Sequence, residues 1–409
     1  MENERLHSFD ALRSFLLLIG VYFHLASMYT QPNILEKYDI SNQHWIFNLY
    51  MSFQSYFRMP AFFLIAGFFG AFLVQKKGLK EMMINRFKRI LLPLLMFIFP
   101  ISIFYKFIQS GTEKFLSGMG ILDTILDSLK IFTSFDYLLP NQTLHLWFLN
   151  YLFFLSMFAF LCIRLNIKVP YKNKISILFE RPWIGTILFC FSYGLFMVFL
   201  NKNKHGSLND FNWLWFSHLD GIKSFIVYGF FYFIGWIIFD KKHMINYLSL
   251  KKQLSIFFVI NILVVAVIYY LYTIYQYSPI TDINFIFDHS TNKKFVGDPL
   301  KKSLIDSAFI FLFNFAVPTY LMLLLSFFTN FFNNESKILR YFSDASYWIY
   351  IIHVLFTLTV PAIFYSFKIS VFLKFSFAAV LSTILCFISY HLFARKTVIG
   401  QLLNGRKYN

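Results

Sequence analysis

The stretch FDALRSFLLLIGVYFHLA, Phe9 to Ala26, decides how the chain is read. About twenty mostly apolar residues make a membrane-spanning helix, and this run qualifies when taken from Phe9 to Tyr29. It carries two groups that a bilayer disfavours, Arg13 and His24. At roughly 100° per residue, eleven steps return a side chain to within about 20° of the same face, about 16 Å further along the axis. One stripe of the first helix therefore presents a guanidinium near one membrane face and an imidazole near the other. Ionisable groups inside a span are costly, turn to the bundle interior and mark functional sites by default. The plain alternative is an Arg snorkelling at a helix end and a hydrogen-bonded core His.

Composition agrees with a membrane reading. Apolar residues make up 58% of the 409, Phe alone accounts for 58, and only 14% are charged, against about a quarter charged in a soluble domain. Length alone would suggest two or three soluble domains. No interior stretch is long and polar enough to be one, so residues 1–409 read as a single transmembrane domain. The net charge of +17 invites a nucleic-acid reading. The basic residues instead sit in short loops between apolar runs, where orientation bias puts them, and no nucleic-acid partner is expected. Cys162, Cys190 and Cys386 lie inside apolar runs with no metal-ligand spacing, so neither a metal nor a disulfide is expected. The start MENERLHSFD is not net basic and no small-residue cleavage site follows the apolar run; the first helix is expected to stay.

Hydropathy gives ten spans, roughly 9–29, 51–74, 90–109, 143–164, 182–200, 220–239, 253–275, 304–330, 346–367 and 371–394. The expected fold is thus all-α, a polytopic integral membrane bundle of about ten transmembrane helices. Lys and Arg concentrate in alternate loops, among them Lys76, Lys77, Lys80, Arg86 and Arg89, then Lys168, Lys172 and Lys174, then Lys241, Lys242, Lys251 and Lys252. Positive residues stay cytoplasmic, which places both termini inside and the 110–140 and 276–303 loops outside. Counting about 1.5 Å per residue from the span ends sets the depths. His24 comes out roughly 8 Å and Arg58 about 10 Å below the outer face, with His145 at the outer rim, whereas His353 comes out about 10 Å above the inner face, nearer Arg13. Two tiers are expected: His24, Arg58 and His145 above, Arg13 and His353 below.

Five pieces of sequence resemble the acyltransferase 3 family of integral membrane O-acyltransferases. They are Arg13-x10-His24; the FRM…FF…GFF run around Arg58; NRFKRILLP, with Arg86 and Arg89 ahead of Pro93; HLWFLNYLFF from His145; and SDASYWIYIIHVLF, which contains His353. They occur in the family's order along nearly the whole chain, and the run around Arg58 is most similar to the branch that adds succinyl groups to periplasmic glucans. Ala66 stands before Gly67 where the family often has Ser, so no chemistry is placed there.

The resemblance implies transfer of an acyl group, succinyl or acetyl, from a cytosolic acyl-coenzyme A to a hydroxyl of a glucan or other cell-envelope carbohydrate. It implies a multi-pass protein of the inner (plasma) membrane, with acyl-CoA, a carbohydrate acceptor and the lipid bilayer as partners. No cofactor is expected to be bound; acyl-CoA is a donor substrate. A sugar hydroxyl needs a general base, and imidazole can take and return a proton near neutral pH; His24 is that candidate. Arg13, three turns away, either holds the donor or pairs with Asp10 one turn before it. Arg86 and Arg89, at i and i+3, suit the donor's phosphates, or else are orientation charges. Arg58 is too deep for an orientation role and suits an anionic acyl end or a developing oxyanion. His145 lies where Trp147 and Tyr151 could be an aromatic belt, and His353 could equally be a satisfied core histidine; both are candidates for substrate binding.

Two rivals are weighed. An ion-coupled transporter usually buries acids at mid-membrane, whereas the acids here lie in loops or near span ends, as Asp10, Asp220 and Asp344 do. The other integral O-acyltransferase superfamily relies on a late His with a distant Asn, an arrangement this sequence does not present.

Overall fold

The computed structural model describes residues 7–30, 42–133, 139–140, 143–167, 181–202, 221–275 and 299–405. The expected outer loop 276–303 therefore lies mostly outside the described residues, as does the basic stretch with Lys168, Lys172 and Lys174. Among the described residues the chain is helical, without strands. The helices are α1 (His7–Ala26), α2 (Trp45–Lys77), α3 (Leu79–Arg86), α4 (Leu92–Leu116), α5 (Ile121–Ser128), α6 (Trp147–Arg164), α7 (Pro182–Lys202) and α8 (Gly221–Asp240). They continue as α9 (Lys242–Leu248), α10 (Lys251–Tyr275), α11 (Pro299–Phe331), α12 (Lys337–Phe364), α13 (Val371–Ser389) and α14 (Val398–Asn404). Eight helical stretches among the described residues are long and apolar enough to cross a membrane, and they coincide with eight of the ten expected spans. The other two expected spans, 220–239 and 253–275, correspond to α8, whose described apolar part runs Ser224–Asp240, and to α10.

Local chemistry explains the helix boundaries. His44 caps α2 by accepting the Ile46 N–H at Nδ1 (3.2 Å), and Gly78, at φ +88°, ends that helix where an L side chain would be strained. Pro93 falls in the first turn of α4, where a missing N–H costs no helical bond. Ser336 accepts the Leu339 N–H at 3.4 Å to start α12. Hydroxyls inside the spans return to their own helix, as Ser14 does to the Asp10 carbonyl (2.6 Å) and Ser156 to that of Leu152 (2.8 Å). In hydrocarbon such internal partners are the available ones.

The outside of the bundle is apolar, with Leu95, Phe99, Leu263, Phe377, Val380 and Ile384 all exposed, as lipid contact requires. Helix α1 runs through the middle, packed against α12, α2, α11 and α13. α2 lies along α8 through two glycines: a Cβ on Gly67 would collide with the Tyr232 backbone, and one on Gly235 with the Leu64 backbone. Small residues at that crossing let two membrane helices approach backbone to backbone.

Candidate functional site

Helix α1 carries Asp10, Arg13, Leu17, Gly20 and His24 at steps of three or four, one continuous face. That face lines two stacked cavities. The lower, of about 540 Å³, is walled by Asp10 and Arg13, by Lys76 and Lys77 of α2, by Arg86 and Arg89, and by Ser343, Asp344 and Tyr347 of α12. Its lining holds five Lys or Arg against two Asp, so it suits an anion. The upper, of about 30 Å³, is walled by Gly20 and His24, by Arg58 and Phe62 of α2, by His145 and Phe148, and by Tyr350 and His353 of α12.

The upper cavity gathers three imidazoles. Ring centres of His24 and His353 stand 5.0 Å apart, those of His145 and His353 5.0 Å, and those of His24 and His145 6.2 Å. His145 sits in a single 3₁₀ turn, Leu144–Leu146, whose first residue has a left-handed φ of 47°. Such a conformation costs a non-glycine residue of order 1 kcal/mol and concentrates at functional sites. The His145 Nε2 lies 2.9 Å from the Ile351 carbonyl, and the His353 Nδ1 lies 2.7 Å from that of Tyr350. A carbonyl only accepts, so both nitrogens carry the proton and the tautomers are set. The remaining nitrogens, Nδ1 of His145 and Nε2 of His353, are buried without a hydrogen-bond partner. The Tyr350 hydroxyl donates to the His145 carbonyl at 2.7 Å, locking the turn to α12. No group of three or more His, Cys, Asp or Glu among the described residues has the geometry to hold a metal ion.

Arg58 is buried, its guanidinium carbon 4.2 Å from the centre of the Phe23 ring, and its Nε has no hydrogen-bond partner. Gly20 makes the space: a Cβ there would stand 2.9 Å from the Arg58 Nη1. In the lower cavity Arg13 Nη2 is 3.5 Å from Asp10 Oδ1 and donates to Ser343 Oγ at 3.3 Å, so the expected pairing with Asp10 exists while the guanidinium still faces the cavity. Arg86 donates to the Ala66 carbonyl at 3.1 Å. Arg89 lies in a π-helical turn, Phe87–Leu91, and its carbonyl accepts from the Tyr347 hydroxyl at 2.6 Å. Turns of this kind inside helices are frequent at functional sites.

All seven candidate residues line one cavity or the other, but one changes tier. His353 stands with His24, not with Arg13. Helix α12 starts at Lys337 rather than at Ser346, so His353 lies about 24 Å along it instead of about 10 Å. Sequence reasoning missed Ser343 and Tyr347, although Ser343, Tyr347, Tyr350 and His353 follow one another at steps of four, three and three. It also missed Leu403, Asn404 and Gly405, which close the lower cavity from the far end of the chain.

The membrane bundle, the buried imidazoles and the cation-lined cavity beneath them define a polytopic membrane protein with a polar site buried among its helices. Compared with known proteins, residues 6–391 match the acyltransferase domain family, and the chain belongs to it. Among curated relatives it is 24% identical over 203 residues to the glucans biosynthesis protein C of Escherichia coli (strain SMS-3-5 / SECEC), covering 48% of this chain and 49% of that protein. It is 26% identical over 151 residues to the protein of the same name from Salmonella paratyphi B, 36% of each chain. The matched stretch thus spans half or less of these relatives. No solved structure matches.

Proposed function

We propose that this protein transfers an acyl group, succinyl or acetyl, from a cytosolic acyl-coenzyme A to a hydroxyl of a glucan or another cell-envelope glycan, in the inner (plasma) membrane. The observation that carries the reading is the stacking of a cation-lined cavity directly under a chamber of three histidines and one arginine. The donor's phosphates are taken by Arg86 and Arg89, with Arg13 in the same cavity, because guanidinium forks bind phosphate by charge-assisted pairs. The thioester then points up toward His24. As the acceptor hydroxyl attacks the thioester carbonyl, His24 takes its proton. A C–O bond forms, the C–S bond breaks, and the proton passes to the departing thiolate, leaving coenzyme A as the free thiol. Arg58 faces the oxygen that gains charge. His145 and His353 hold the acceptor through their unpartnered nitrogens. The likeness to glucans biosynthesis proteins supports a glucan acceptor.

The test is purified protein in detergent given acetyl- or succinyl-CoA and a glucan oligosaccharide. Thiol release together with an acceptor heavier by one acyl group is expected; solute movement without thiol release would instead mean a transporter. The sidedness is tested by cysteines at Ser110 and Lys172: an impermeant reagent should label the first in intact cells and not the second.

A further inference from the structure

Four residues line both cavities: Leu17 of α1, Phe62 of α2, Phe148 of α6 and Tyr350 of α12. Side chains common to two stacked cavities form the partition between them. The Phe62 and Phe148 rings pack at 5.1 Å and Phe148 meets Tyr350 edge-on at 6.1 Å. Leu17, Phe62 and Phe148 are all buried. Tyr350 cannot swing aside without breaking its bond to the His145 carbonyl, which would leave a buried polar group unpaired. The collar is therefore apolar, close-packed and pinned on one side.

The two volumes differ sharply, about 540 Å³ below the collar and about 30 Å³ above it. A cavity needs about 10–15 Å³ on this measure to hold one water, so the upper chamber has room for roughly two water-sized groups. The wide lower cavity cannot select an acyl chain by length. Only the collar and the small chamber beyond it can.

We infer that Leu17, Phe62, Phe148 and Tyr350 form a gauge that sets the length of the transferred acyl chain, admitting short chains and rejecting long ones. The inference rests on the donor reading proposed above. In each turnover the acyl carbon must reach His24, above the collar, to exchange its C–S bond for a C–O bond, the hydroxyl proton ending on the coenzyme A thiol. The acyl tail is then confined beyond the aromatic pair. Misfit by a single methylene in such a pocket already discriminates roughly 10–200-fold. Trimming Phe62, whose ring forms one side of the collar and also faces the chamber, should enlarge both.

Transfer to a glucan oligosaccharide is measured for acetyl-, butyryl- and hexanoyl-CoA with the wild type, Phe62→Ala, Phe148→Ala and the milder Phe62→Leu. The readout is the ratio of hexanoyl to acetyl transfer, which a general loss of folded protein does not move. In the wild type that ratio is expected below about one-hundredth, and Phe62→Ala should raise it at least tenfold, with Phe62→Leu between. Equal use of all three donors by the wild type, or a ratio unmoved in every variant that still transfers acetyl, overturns the gauge and leaves the transferase reading intact. No transfer by the wild type from any donor overturns the transferase reading itself, and the gauge with it.

Discussion

The rings of His24 and His353 meet at 5.0 Å, yet they are held differently. His353 is tied to the Tyr350 carbonyl, whereas no hydrogen bond fixes the His24 ring among the described residues. A base that must take a proton from an incoming hydroxyl needs a nitrogen free to face it, and His24 has that freedom.

His24→Gln keeps much of the size and hydrogen bonding but cannot take a proton. A general base is worth about 10²–10⁴-fold in rate, so this variant should insert normally and lose at least about a hundredfold of thiol release. His353→Gln, which removes an acceptor-holding nitrogen, should lose less than that. If His24→Gln kept more than about a tenth of wild-type transfer, the base would lie elsewhere, with His353 the next residue to substitute.

Arg58 separates two kinds of chemistry. No acid lies within ion-pair distance of it among the described residues, and the Phe23 ring offsets its burial only in part. An uncompensated buried charge destabilises the fold by several kcal/mol even after the surroundings relax. Arg58→Met should therefore raise the apparent Tm while lowering transfer by about 10²–10³-fold. The loss should be similar with acetyl- and succinyl-CoA, because the developing oxyanion is common to both. A loss confined to succinyl-CoA would mean that Arg58 reads the succinyl carboxylate instead.

Hydropathy made the bundle legible because a span must be long and apolar whatever it packs against. The Arg13–His24 stripe was legible because helical spacing is rigid over eleven residues. The level of His353 was not, since depth was counted from Ser346 while α12 begins at Lys337, and polar residues such as Ser343 and Asp344 hid the extra turns. Leu17, Phe62 and Phe148 carry no signal in a sequence with 58 Phe. Only packing tells a collar from ordinary core. Asn404 donates to the Asp344 carbonyl at 3.0 Å across 60 residues of sequence, a contact that no local pattern announces.

Outside the spans, Asp127 is held by Lys114 at 2.7 Å and by Lys130, and their hydrogen bonds lower its pKa from 3.8 to about 2. A depressed carboxylate stabilises the fold above its unfolded pKa, and that contribution is lost as pH falls through the folded one. The pairs are partly exposed, so solvent screening keeps the effect small. The Tm difference between wild type and Asp127→Asn should be constant from pH 7 to pH 5 and close between about pH 4 and pH 2. A difference that already shrinks at pH 5 would mean that the pairs do not hold Asp127.

Gly405, at the far end of the described chain, seats Arg89. Helix α14 ends at Gly405, whose φ of +71° is left-handed, and the Arg89 guanidinium packs where a Cβ would stand. Any side chain there must both adopt a strained backbone and displace Arg89. A β-branched residue is worst placed to do so. Arg89→Ala removes a charge-assisted phosphate contact worth about 1.5–3 kcal/mol, roughly tenfold or more in apparent affinity for the donor. Arg86→Ala with Arg89→Ala should go further. Gly405→Val should reproduce the single Arg89→Ala effect, raising the KM for acyl-CoA about tenfold with kcat and protein level little changed, because the collar and the chamber above it are untouched. Steady-state kinetics at varied donor and saturating acceptor decide it. A Gly405→Val enzyme with an unaltered donor KM would show that Arg89 does not need this seat, and an Arg86→Ala/Arg89→Ala enzyme with an unaltered donor KM would reduce both arginines to orientation charges.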